Sequence, residues 1–150
     1  TQLIGAGVVR HDARLGIYGV TPLGRGLLPV LQALCRWGAL HPGHDPGRFI
    51  SPAALMISMT AMIDAQAAQG LSLRAGFLIG REGFVQRLTG DNVLQVEAQD
   101  DPQADFVLEG GGNSLARAVY GPQPLTAQGD VVLHGDGATA QRFLDLFRLR

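Results

Sequence analysis

Lysine is missing altogether: all twelve basic residues of this 150-residue chain are arginine. That excludes Schiff-base chemistry and the lysine of a phosphate-binding P-loop. Cysteine occurs once, at Cys35. A lone cysteine excludes an intrachain disulfide and fits a reducing cytoplasm. It lies in an apolar helical run, where a buried structural thiol is expected rather than a nucleophile. No apolar run approaches the roughly 20 residues of a membrane span, and no charged-then-apolar leader opens the chain, so no membrane insertion is expected. The chain starts at Thr1 rather than at a methionine, so a trimmed or partial gene product is expected. Neither G-x-S-x-G nor G-x-G-x-x-G is present, so neither a serine nucleophile elbow nor a dinucleotide fingerprint is available.

What is present suits a folded domain. Hydrophobic residues make up 46% of the chain, enough to build a core. The net charge of −1 is unevenly spread. Residues 1–50 carry five arginines against Asp12 and Asp45, a balance of +3; residues 51–150 carry seven arginines against eleven acids, a balance of −4. A basic head on an acidic body points to an anionic partner for the head.

Along the chain, the first twenty residues predict the end of a helix and then a hairpin, with strands at Val8–Arg10 and Ile17–Val20. Thr21 and Pro22 supply an N-cap and a first-turn proline. Leu23, Leu27, Val30, Leu31, Leu34 and Trp37 recur at helical spacing, which predicts one helix from Pro22 to Trp37, bent at Pro29 and serving as an interface. The stretch ALHPGHDPGRF has loop composition, so residues 41–50 are expected to link a unit at 1–40 to one at 51–150. Ser51-Pro52 repeats the cap, opening a helix expected to run to about Gln69. Then come strands at Leu71–Ile79, Phe84–Thr89, Val93–Ala98 and Ala104–Glu109, a helix at Ser114–Tyr120, a fifth strand at Asp130–His134, and a last helix capped by Asp136. This order is an α+β layer: a five-stranded antiparallel sheet with helices over one face.

Three constellations bear on chemistry. Cys35, His41, His44 and Asp45 offer only H-x-x-H, short of a zinc set, so no metal or other cofactor is expected. Gly110-Gly111-Gly112 reads as a wide turn rather than a phosphate loop. His134 beside Asp136 is half of an acid–base pair for which no nucleophile can be placed, so enzymatic activity is not expected.

Two resemblances add to this reading. Leu3, Gly7-Val8-Val9-Arg10, Tyr18-Gly19-Val20-Thr21-Pro22-Leu23-Gly24, Leu28-Pro29-Val30-Leu31 and Trp37 resemble the carboxyl-terminal part of an HxlR-type winged helix, without the preceding helix-turn-helix. The resemblance implies a wing touching DNA through Arg10, His11 and Arg14. It also implies a homodimer helix presenting Leu27, Val30, Leu31, Leu34 and Trp37. From Ser51 to Phe147 the chain resembles a sterol-carrier-protein-type domain, carried by Ala104–Leu108, the Leu115 helix and the closing stretch from Gly129 to Phe147. That resemblance implies a hydrophobic ligand between sheet and helices, lined by Leu55, Met56, Met59, Met62, Phe77, Phe84, Phe106, Leu115, Phe143 and Phe147. The same apolar spacing is also what an ordinary core shows. Together they imply a dimeric DNA-binding regulator of bacterial type with an effector domain; the alternative is a lipid-binding or carrier module without DNA function.

Overall fold

The computed structural model describes residues 2–13, 17–91 and 93–147. A short helix α1 (Gln2–Gly5) leads into an antiparallel hairpin, β1 (Val9–Asp12) and β2 (Ile17–Val20), with Val9 opposite Val20. Gly7, at φ 69°, makes the turn between helix and strand, a conformation that favours glycine.

The helix expected from Pro22 to Trp37 is two helices, α2 (Pro22–Arg25) and α3 (Leu28–Ala39). Thr21 caps α2 as expected, its hydroxyl oxygen accepting the Gly24 amide at 3.1 Å. Pro29 sits in the first turn of α3 rather than in the middle of a helix. Its ring would clash with the carbonyl four residues back and its nitrogen has no hydrogen to donate, so the interruption falls at Gly26-Leu27. At the first turn the missing donor costs nothing.

Helix α4 (Pro52–Met62) starts at the Ser51 cap but stops well short of Gln69. Ile63 leaves the helical region at ψ 133°. The Asp64 carboxylate then accepts the amides of Gln66 and Ala67, each at 3.0 Å, which starts a separate turn. A short polar side chain that captures nearby backbone donors competes with helix continuation.

The main sheet contains β3 (Leu73–Ile79), β4 (Glu82–Leu88), β5 (Leu94–Ala98), β6 (Phe106–Gly110) and β7 (Val131–Gly135), in spatial order β5-β4-β3-β6-β7. It is mixed, not antiparallel: β6 runs parallel to β3, with Phe77 beside Leu108. The link from β5 to β6 crosses the sheet's outer face instead of turning back beside β5. Gly83 and Gly76 make room for it. A Cβ on Gly83 would come within 2.1 Å of the Gln99 carbonyl oxygen, and one on Gly76 within 3.2 Å of Pro102 and 3.3 Å of Ala104. The near-continuous burial of Ala75, Gly76 and Phe77 marks β3 as a central strand covered on both faces.

The other face carries the helices α4, α5 (Gly112–Tyr120) and α6 (Gly137–Leu144), followed by a 3₁₀ turn at Asp145–Phe147. Register places Leu73, Ala75, Phe77, Ile79, Phe84, Gln86 and Leu88 on this inner face. Phe143 lies at its centre, with ring centroids 6.4 Å from Phe77, 5.8 Å from Phe106 and 5.0 Å from Phe147. The segment 41–50 is fastened to this body: the Asn113 side chain accepts the Ile50 amide at 3.2 Å and donates to the carbonyls of Gly47 and Arg48.

Candidate functional site

The period-two pattern of β3 and β4 and the helical period of α4 and α6 point their apolar residues at one another. Leu55, Met56, Met59, Phe77, Phe84, Phe106, Leu115, Phe143 and Phe147 are all buried in a single cluster. Met62, at the last turn of α4, is half-buried and stands outside it. The layer between helices and sheet is therefore where the candidate pocket residues meet.

One member of that layer has no counterpart among the residues singled out from sequence. Gln86 is fully buried on the inner face of β4. Its Nε2 donates to the Met56 carbonyl at 3.4 Å and lies 3.5 Å from the Met56 sulfur. Its Oε1 is buried with no hydrogen-bond partner among the described residues. The sequence signal for it was strict alternation: Gln86 falls two residues from both Phe84 and Leu88, on the apolar phase of the strand.

A polar seam joins α3, α4 and α5 behind the layer. Tyr120 and Ser58 share a hydrogen bond of 2.6 Å between their hydroxyls. Burial pushes the Tyr120 hydroxyl far above the ordinary tyrosine range, with the Ser58 bond opposing the shift. Burial also raises the Cys35 thiol, only partly offset by the neighbouring Arg36 charge. Cys35 is half-buried rather than buried as expected, and a thiol held protonated is a poor nucleophile.

Helix α3 rests on α4 by its more polar side. Gln32 Nε2 donates to Thr60 Oγ1 at 3.0 Å, and Arg36 Nε to the Ala61 carbonyl at 2.7 Å. Leu27, Val30, Leu31, Leu34 and Trp37 are consequently all exposed, Trp37 by 67%. In the hairpin, Arg10 is exposed and its side chain lies across Gly19. His11 stacks on Tyr18 with ring centroids 4.5 Å apart. Arg14 lies outside the described residues.

The remaining polar candidates are committed elsewhere. His134 pairs with Glu109 at 3.0 Å, not with Asp136. Asp136 lies past the end of β7 and caps α6, accepting from the Thr139 amide at 2.8 Å and hydroxyl at 2.5 Å. Gly111 is the N-cap of α5, so the glycine run is a strand-to-helix turn. His41 Nδ1 accepts the Gly43 amide at 3.0 Å. Among the described residues no cluster of three or more His, Cys, Asp or Glu side chains could hold a metal ion. Also among them, no helix is long and apolar enough to cross a membrane. Two surface clefts are lined by none of the candidate pocket residues. One, of about 490 Å³, lies between α1 and the hairpin, against Leu3, Ile4, Val9 and Tyr18. The other, of about 420 Å³, lies where β3 begins, against Asp105, Asp136, Thr139 and Arg142.

No family profile matches the chain, and no curated sequence matches it. Solved structures do. The stereoselective inverting sec-alkylsulfatase Pisa1 from Pseudomonas sp. superimposes with a TM-score of 0.60 at 21% identity, over 69% of this chain and 17% of that one. The chain thus spans 17% of that enzyme's length, and the likeness is one of fold. The UbiJ-SCP2 ubiquinone synthesis protein matches with a TM-score of 0.45 at 15% identity, over 84% of this chain and 92% of that one. Sterol carrier protein 2 like 2 from Aedes aegypti matches with a TM-score of 0.35 at 11% identity, over 81% and 94%.

Proposed function

We propose that residues 51–147 form a binding module of sterol-carrier type for a hydrophobic small molecule, held between the inner face of the sheet and helices α4 to α6. The carrying observation is the buried layer itself: Met56 and Met59 of α4 are buried in one apolar cluster with Phe77 and Phe84. Unbranched thioethers re-pack around differently shaped apolar guests. The module holds its ligand and does no chemistry on it. Native mass spectrometry of the protein after mild extraction tests this. A retained apolar adduct, displaced by added fatty acids or sterols, is the expected result; a protein that carries no adduct and ignores both refutes it.

A second reading concerns residues 1–40. The outward-facing apolar stripe of α3 favours the regulator reading, in which a second copy covers that stripe and the hairpin contacts DNA. Light scattering on wild type and Leu31→Glu checks the first half: a dimer that the charge splits is expected, and a monomeric wild type removes it. Gel shifts with whatever the gene encodes upstream of Thr1 included check the second half.

A further inference from the structure

Gln86 projects from the middle of β4 into the apolar layer, between Phe84 and Leu88 on its own strand. The Met56 carbonyl, which can only accept, sets the nitrogen end of the amide, so the oxygen is the end left unpaired. A buried carbonyl oxygen without a partner is rare in folded proteins and calls for a donor from elsewhere.

Its surroundings indicate where that donor enters. Across the sheet, Gln86 has Ala75 on one side and Val96 on the other. Ala75 is interior, whereas Val96 belongs to the edge strand β5 and is 38% exposed. The amide therefore stands one strand spacing, about 4.8 Å, inside an edge strand whose inner face is buried at Leu94 and partly exposed at Val96. The wall opposite is Met56, whose flexible side chain can swing aside for a guest.

We infer that Gln86 reads the polar head of the ligand, and that its oxygen accepts a hydrogen bond from an uncharged hydroxyl on a long-chain alcohol or similar hydroxyl-headed lipid. This rests on the hydrophobic-ligand reading above and names the ligand's head group. An ionised carboxylate brings only acceptors to an acceptor and gains nothing from the Gln86 oxygen. A hydroxyl supplies the missing donor, while its chain occupies the layer between Met56, Met59 and Phe84.

The test uses the full chain freed of lipid, with dodecan-1-ol and its methyl ether competing separately against a pyrene-labelled alkane. The ether keeps the chain and the oxygen but has no donor. Wild type is expected to bind the alcohol about tenfold more tightly than the ether. Gln86→Leu is expected to bring the two within about twofold while still binding the ether. Equal binding of alcohol and ether by wild type overturns the inference, as does a preference that survives in Gln86→Leu. A buried water on the Gln86 oxygen would produce the first of these results. The wild-type comparison needs no variant, so it stands whether or not Gln86→Leu folds. If the pyrene probe itself fails to bind, the hydrophobic-ligand reading fails and this inference with it. Probe binding without alcohol preference removes only the hydroxyl recognition.

Discussion

Replacing Gln86 by leucine should leave the lipid-free protein as stable as wild type or more so, which is the opposite of what deleting a buried polar contact usually does. The change removes one long hydrogen bond, 3.4 Å from Nε2 to the Met56 carbonyl. A bond of that length contributes at most about 0.5 kcal/mol net. The Met56 carbonyl lies in the second turn of α4, so the helix's own amide ladder still serves it. The change also removes a buried oxygen with no partner, whose desolvation costs about 1–3 kcal/mol. Leucine has nearly the same volume and faces Met56, Phe84 and Leu88, so little packing is lost. The balance is a gain of about 1 kcal/mol, or about 2–4 °C in melting temperature for a chain of this size. Urea unfolding of the delipidated proteins, followed by circular dichroism, measures it. A loss of more than about 1 kcal/mol in Gln86→Leu would refute the reasoning, because it would mean the oxygen is well satisfied in the folded chain.

Other consequences follow from the same packing. Phe143→Ala should cost about 3–5 kcal/mol, since the ring is fully buried against Phe77, Phe106 and Phe147; a urea midpoint close to wild type would show that the centre of the layer is loosely filled. Gly83→Ala should destabilise by about 1–3 kcal/mol by forcing the crossing link off the sheet, whereas Gly90→Ala, with nothing within 4 Å of the new methyl, should not displace anything. Tyr120 has a folded-state pKa raised above its unfolded one, so its contribution is complete below the ordinary tyrosine pKa and is lost as pH rises through the folded value. Tyr120→Phe should therefore be less sensitive than wild type to alkaline unfolding, read from urea midpoints between about pH 8 and pH 11. Asp136 is held below the ordinary carboxylate range, first by the Thr139 hydroxyl and then by the Thr139 amide. Its stabilisation is present above the unfolded pKa and fades as pH falls through the lower folded one. Asp136→Ala should thus be weaker than wild type at neutral pH, with the gap in urea midpoint closing below about pH 4.

Local chemistry alone determined a good deal of this molecule. The Thr21, Ser51 and Asp136 caps, the hairpin at β1 and β2, the strand-to-helix turn at Gly110–Gly112 and the five strands of the sheet all follow from short-range rules, because capping oxygens, glycine conformations and period-two alternation act within a few residues. The buried residues of the apolar layer were legible for the same reason. Three things were settled only by packing at a distance. Alternation says that Phe106–Gly110 is a strand but not which strand it joins, so its parallel pairing with β3 depended on the crossing link finding Gly76 and Gly83 beneath it. Helical spacing shows that α3 has an apolar stripe but not which side docks; Gln32 and Arg36 found partners on α4, and the stripe was left facing outward. Gln86, polar by type yet apolar by phase, acquired its meaning only when α4 closed over β4 and left its oxygen without a partner among the described residues, since whether a polar atom is satisfied depends on neighbours that the chain brings from far away.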